Sequence, residues 1–177
     1  MTERAQEFEA VALSHLNAVY NLARWLVRDE QVAQDMVQEA YLRALKFHDG
    51  LRGADMRPWL LGIVRNTCYT WLKNNRHGEQ VEFDEERDSA AYESAFGRAE
   101  NNPEALLLCK QESARVNQAI AALPPLFREV LVLRELEELS YDEIAVVAAI
   151  PAGTVMSRLA RARAMLRTEL NRTMSEE

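Results

Sequence analysis

Between Leu139 and Arg167 the chain reads LSYDEIAVVAAIPAGTVMSRLARARAMLR, a pattern that suits two helices joined by a tight turn. Ser140 can cap the free amides of a helix start, while Glu143, three residues on, reaches back to the amide of the cap residue. Ile144 and Val147 continue this helix with apolar spacing. Pro151 ends it, because proline cannot continue the hydrogen-bond ladder and biases Ile150 away from helical angles. The turn therefore falls near Ala149, where an alanine suggests a backbone that avoids the left-handed region.

From Gly153 onward, apolar residues recur at Val155, Leu159, Ala162 and Leu166, one stripe that suits packing on the preceding helices. Winding the same helix puts Met156, Ser157, Ala160, Arg161, Ala164 and Thr168 on the far side, with Arg158 and Arg163 on the flanks. Between Pro151 and Arg172 the residues Arg158, Arg161, Arg163, Arg167 and Arg172 face the single acid Glu169, in a chain of net charge −7. Two helices at a tight turn with a cationic second member have the layout of a helix-turn-helix, which places a helix in duplex DNA. Charge alone is equally compatible with a solvated arginine face, and the motif does not say which kind of DNA-binding protein carries it.

The rest of the chain sets the fold class. Glycine and proline are sparse among the 177 residues, alternating strand-type runs are absent, and apolar residues repeat at three and four. The expectation is all-α: two small helical domains joined by an acidic flexible linker, the C-terminal domain being the helix-turn-helix. The linker is read from Gly78 to Asn102, where helical periodicity lapses and Glu82, Asp84, Glu85, Glu86, Asp88, Glu93 and Glu100 meet few cations. Asn102-Pro103 reads as a cap and first turn. No apolar run is long enough to span a bilayer, and MTERAQEFEA is too acidic for a signal or transit peptide, so a cytoplasmic protein without membrane insertion is expected. Cys68 and Cys109 lie far apart with no C-x-x-C, and suggest neither a disulfide framework nor a metal site. Without a phosphate loop, metal cluster or nucleophile–base pair, neither catalysis nor a cofactor is expected.

Three helices are predicted in the N-terminal half, about Glu3 to Val27, Asp29 to Phe47 and Met56 to Asn75. In the second, Ala33, Met36, Val37, Ala40 and Ala44 face inward while Asp35, Gln38 and Glu39 lie together outward, an acidic ridge suited to a basic helical partner or simply to water. The third follows a loop with Gly50 and Gly53. It places Trp59, Leu60, Ile63 and Val64 for burial, while Arg57, Arg65, Asn66, Lys73 and Arg76 supply charge and amide donors along a surface that includes Trp71. Cations interleaved with aromatics suit a single nucleic-acid strand, although Trp59 and Trp71 are each better read as core.

The runs AQDMVQEAYLRAL, RPWLLGIVRNT, LPPLFREVLVLRELEELSYDEIA and GTVMSRLARARAMLR, in this order with an acidic linker between them, resemble the extracytoplasmic-function (ECF) sigma factors. The resemblance covers nearly the whole chain apart from linker and tail. It implies a dissociable, non-catalytic subunit of bacterial RNA polymerase, with residues 1–77 as the polymerase-binding and minus-ten domain, 78–102 as the linker and 103–177 as the minus-thirty-five domain. By that likeness Asp35, Gln38 and Glu39 bind core RNA polymerase; Asp55, Arg57, Arg65, Asn66 and Thr70 serve the melted minus-ten strand; and Met156, Ser157, Arg158, Ala160, Arg161 and Arg163 serve the minus-thirty-five duplex. The family commonly has lysine or arginine at the position of Met156 and glycine at that of Ala149, so Ser157, Arg158 and Arg161 should carry more of the duplex contact. The likeness also implies promoter DNA and an anti-sigma factor as partners, and a linker that threads through polymerase. Two other readings remain: a helix-turn-helix regulator without sigma activity, and a sigma-like mimic that only binds an anti-sigma factor.

Overall fold

Asp29 shows how local chemistry sets the helix boundaries: its carboxylate accepts the Val32 amide at 2.8 Å and starts a helix that runs to Phe47. The structure, a computed structural model, describes residues 3–51, 55–75 and 103–175. Eight α-helices and no strand occur among them. The predicted linker at 78–102, the Asn102 cap, Arg76 and the glycine-bearing loop at 52–54 lie outside the described residues.

In the N-terminal half α1 spans Glu3–Ser14, α2 Leu16–Val27, α3 Glu30–Phe47 and α4 Met56–Asn74. The single first helix expected from sequence is thus two. The Ser14 hydroxyl donates to the Val11 carbonyl at 2.6 Å and the His15 amide bonds Ala12 O at 3.1 Å, a side-chain competition with the ladder that bends helices. The third helix is as predicted, with Asp55 accepting the Arg57 amide at 3.1 Å as its cap. All five inward residues predicted on α3 are buried.

In the C-terminal half α5 spans Pro103–Ala122, α6 Pro125–Leu131, α7 Tyr141–Ala148 and α8 Ala152–Ser175. After Leu131 the chain widens into one π-helical turn, Val132–Leu136, closed by the Glu137 amide on Val132 O at 3.1 Å. Such a turn re-aims the residues that follow it. The capping box is present in full: the Glu143 amide donates to Ser140 Oγ at 3.2 Å, and the Ser140 amide to a Glu143 carboxylate oxygen at 2.6 Å. The α7 and α8 axes turn through 98°, within the range of a helix-turn-helix.

The halves share one core. Within the first, α2, α3 and α4 pack on one another, yet α4 also lies against α7, and α2 against α6. At the α4–α7 crossing a Cβ on Gly62 would stand 3.7 Å from the Val147 carbonyl oxygen, in ordinary contact with the backbone of α7. Arg128, 6% exposed, donates to the carbonyls of Trp25 in α2 (2.8 Å), Ala121 (2.9 Å) and Leu123 (2.8 Å). Arg28 also reaches Ala121 O, at 2.9 Å. Two arginines thus serve the carbonyl-rich C-terminal ends of α2 and α5, where a cation is favoured.

Ala149 corrects the sequence reading. It sits at φ 53°, ψ 46°, in the left-handed region it was expected to avoid. The reason is the tight closure: the Ile150 amide returns to Ala145 O at 3.1 Å, which requires a left-handed residue between them. A Cβ there carries a steric cost that glycine lacks. Ala149→Gly is therefore expected to stabilise the protein by about 1 kcal/mol, seen as a higher urea midpoint with an unchanged slope.

Candidate nucleic-acid and polymerase interface

The outer face of α8 follows from its apolar stripe. Val155, Leu159 and Ala162 are buried, so the opposite residues Met156, Ser157, Ala160, Arg161, Ala164 and Thr168 are all exposed. Met156 is 56% exposed near the start of the helix, and the Ser157 hydroxyl donates to Thr154 O at 3.0 Å. The Arg161 guanidinium lies 5.6 Å from the centre of the Phe127 ring, a contact that steadies it while leaving it exposed. Arg163 donates to Glu135 at 2.7 Å, an exposed pair that holds its guanidinium above the usual range.

Arg158 departs from the expected duplex face. It is half-buried, with one terminal nitrogen 3.8 Å from the Glu129 carboxylate. The helical projection put it on the flank, and packing of α8 on α6 turned that flank inward. The solvent-facing part of the predicted set is Met156, Ser157, Ala160, Arg161 and Arg163.

On α4, Asn66 and Thr70 are exposed one turn apart, with the Thr70 hydroxyl donating to Asn66 O at 2.9 Å. Two of the predicted cations, Arg57 and Arg65, are engaged by the other half of the chain. Arg65 gives Glu129 two hydrogen bonds, at 2.8 and 3.1 Å, and stacks 4.5 Å from the Tyr69 ring centre. Glu129 has no exposed surface. Burial works to lower the Arg65 guanidinium, but the Glu129 carboxylate more than reverses this and the net shift is upward. Burial and the same carboxylate push the Tyr69 phenol well up. Arg57 donates to the Glu137 carbonyl at 2.8 Å and to its carboxylate at 3.0 Å, and Asn21 gives that carboxylate another bond at 2.6 Å. Sequence reasoning missed Glu129 and Glu137, since acids in an amphipathic run read as solvated. The only hint was Glu129 inside the apolar string Phe127–Leu133.

On α3, Asp35 and Gln38 are exposed, and Glu39 is half-exposed and paired with Arg43 one turn on. Trp59 meets Phe8 edge-on with ring centres 6.1 Å apart, and Trp71 packs partly buried against the core, as predicted for both. Among the described residues no group of three or more His, Cys, Asp or Glu is placed to hold a metal, and no single helix is long and apolar enough to cross a membrane.

Comparison with known proteins completes the site. Residues 11–78 match the family described as sigma-70 region 2, and residues 113–166 match sigma-70 region 4. The chain is 34% identical to the RNA polymerase sigma-H factor of Pseudomonas aeruginosa, covering 92% of this chain and 88% of that protein. It is 32% identical to the ECF RNA polymerase sigma-E factor of Escherichia coli K12, with the same coverage. The chain belongs to the ECF sigma factors. An ECF sigma factor directs promoter-specific initiation by RNA polymerase, and that is the function of this chain. Matches in both halves exceed what an ordinary helix-turn-helix regulator requires.

Two solved structures share the fold of this ECF sigma factor. One is the sigma factor RpoE in complex with the anti-sigma factor NepR from Bartonella quintana, with TM-score 0.68, 23% identity and coverage of 94% of this chain and 98% of that one. The other is CnrH in complex with the cytosolic domain of CnrY, with TM-score 0.65, 24% identity and coverage of 94% and 88%.

Cys68 lies on α4 beneath the Asn66–Thr70 surface, fully buried, and burial pushes its thiol up to about 12. Only the thiolate is nucleophilic, so burial both suppresses that form and slows access to it. In a Cys109→Ser background, iodoacetamide should leave Cys68 unlabelled in buffer and label it fully in denaturant, as read by mass spectrometry.

Proposed function

We propose that this ECF sigma factor grips its promoter at two points and polymerase at a third. Residues 1–77 form the polymerase-binding and minus-ten domain, residues 103–177 the minus-thirty-five domain, and residues 78–102 an acidic linker that passes into the polymerase channels. The observation that carries this reading is the exposed face of α8, small and polar with Arg161 at its centre, on the second helix of a helix-turn-helix. Its N-terminal half presents Met156, Ser157 and Ala160, side chains short or flexible enough for a backbone to approach base edges, as recognition helices do.

Asn66 and Thr70, exposed one turn apart on α4, serve the melted minus-ten strand, with Asp55, Arg57 and Arg65 framing them. Bases released from the stack gain contacts there that offset a stacking loss of a few kcal/mol. Asp35, Gln38 and Glu39 dock a basic helical surface of core polymerase. The chain acts as a specificity subunit rather than a catalyst, and works in the cytoplasm with the polymerase. Since RpoE and CnrH were solved in complex with an anti-sigma factor and the cytosolic domain of CnrY, respectively, an anti-sigma factor is the expected regulator.

Run-off transcription with added core polymerase on a genomic library tests this directly and yields the promoter motif. Arg161→Ala should lower output from those promoters about tenfold, the cost of one good base or phosphate contact, while core binding stays at the wild-type level. Unchanged output would remove α8 from the minus-thirty-five role. Charge reversal of both Asp35 and Glu39 to lysine should weaken core binding about tenfold or more, since like charges at a docked surface are costly. A pull-down at wild-type strength would remove the ridge.

A further inference from the structure

Helical spacing divides the outer face of α8 into two rows. Residues four apart stand one above the other, so Met156, Ala160 and Ala164 form one row and Ser157 and Arg161 the next, all of them exposed. The first row is apolar throughout and the second is polar. Met156 is 56% exposed, the one large apolar side chain that the described part of α8 gives to solvent. Ala160 and Ala164 add only a methyl each, so this row lets a groove come close to the helix. In the second row the Ser157 hydroxyl donates to Thr154 O at 3.0 Å, which commits its proton and leaves its oxygen as an acceptor, while Arg161 brings donors alone. We propose that Met156 is a specificity-determining residue that reads a thymine methyl in the minus-thirty-five duplex. This rests on the minus-thirty-five reading of α8 and deepens it, because it assigns a base type to one row of the helix.

The chemistry of the groove selects that base. In the major groove the base edges offer donors, acceptors and one apolar group, the C5-methyl of thymine. A methionine side chain has no donor and only a weak acceptor, so it gains nothing from a phosphate and little from the polar edges. Its gain comes from leaving water, and the methyl is the apolar surface against which it can do so. Cytosine in the same place would lose the methyl and set an amino donor against a thioether that accepts poorly. The unbranched chain can follow the methyl without a fixed rotamer. Position agrees with this role, because Met156 lies near the start of α8, the end that recognition helices direct at base edges. Charge commits the face to DNA: Arg161 and Arg167 are exposed on the same helix, and the Phe127 ring steadies Arg161 at 5.6 Å, in the polar row beside Met156.

The test uses the full chain bound to core polymerase and the promoter recovered by run-off transcription. Each thymine of the minus-thirty-five element, on either strand, is replaced in turn by deoxyuridine, which keeps every hydrogen bond and removes only the methyl. At one position this is expected to weaken wild-type promoter binding about fourfold, the worth of burying one apolar carbon. Met156→Ala should weaken the unmodified promoter by at least that factor and be indifferent to deoxyuridine at that position, while Ser157→Ala still responds to it. Met156 is exposed and alanine favours a helix, so the variant is expected to keep its far-UV helix signal and its binding to core polymerase. Deoxyuridine without effect at every position, an effect that persists in Met156→Ala, or a recovered element without A·T pairs would each overturn the proposal. So would loss of core binding by Met156→Ala, which would make the exposed side chain a protein contact. The minus-thirty-five reading is judged separately: if it holds, Arg161→Ala lowers output from the same promoter whether or not any position responds to deoxyuridine.

Discussion

A carboxylate with no exposed surface stands between the two halves of this chain, and an unpaired charge in that position would be intolerable. Glu129 is met by two N–H groups of Arg65, with Arg158 behind it. Much of the relative placement follows from that requirement. Arg65 belongs to α4 and Arg158 to α8, so satisfying one side chain of α6 fixes the register of three helices at once. Gly62, less than one turn from Arg65, must then let α4 close on α7, and Arg128, next to Glu129, must find its own partners on the opposite side of α6. It does so at the ends of α2 and α5, where burial and the neighbouring Arg28 lower its guanidinium to about 10. A cation in such surroundings is held by carbonyls rather than by an acid.

The uneven charge of the chain takes on a physical meaning in this light. A protein of net charge −7 repels DNA at long range, and recognition must come from local cationic faces. The cations of α8 are not equally available for that purpose. Arg158 is turned inward and Arg163 is paired with Glu135, whereas Arg161 is steadied by the Phe127 ring, which withdraws no charge from it. The acids thus sort these arginines into two that carboxylates hold and one that a ring steadies.

Much of the fold was legible in the sequence because it rests on short-range rules. The capping box of Ser140 and Glu143, the stop at Pro151 and the apolar stripes of α3 and α8 each depend on residues within a few positions of one another. The outward placement of Met156, Ser157, Ala160 and Arg161, and of Asp35 and Gln38, followed from period alone. What escaped were features set by local competition or by distant partners. Ser14 breaks the first helix through its hydroxyl, and Ala149 accepts a left-handed angle because the closure around it demands one. The Arg65–Glu129 and Arg57–Glu137 pairs join residues 64 and 80 positions apart, and nothing in either segment names the other. Sequence read these arginines as open to solvent, whereas the closed arrangement encloses them.

The enclosure of Arg57 and Arg65 by two acids limits how this face of α4 can be altered. Strengthening the α4 face for a promoter strand with a further guanidinium near Arg65 would also strengthen its hold on Glu129, since carboxylate and phosphate reward the same donor geometry. The separable adjustments lie elsewhere: at Gly62, where side-chain size changes the α4–α7 crossing without touching charge, and at Asn66 and Thr70, which no acid of the other half engages among the described residues. Uncharged residues on this face can therefore vary independently of the ion pairs that join α4 to α6 and its π turn.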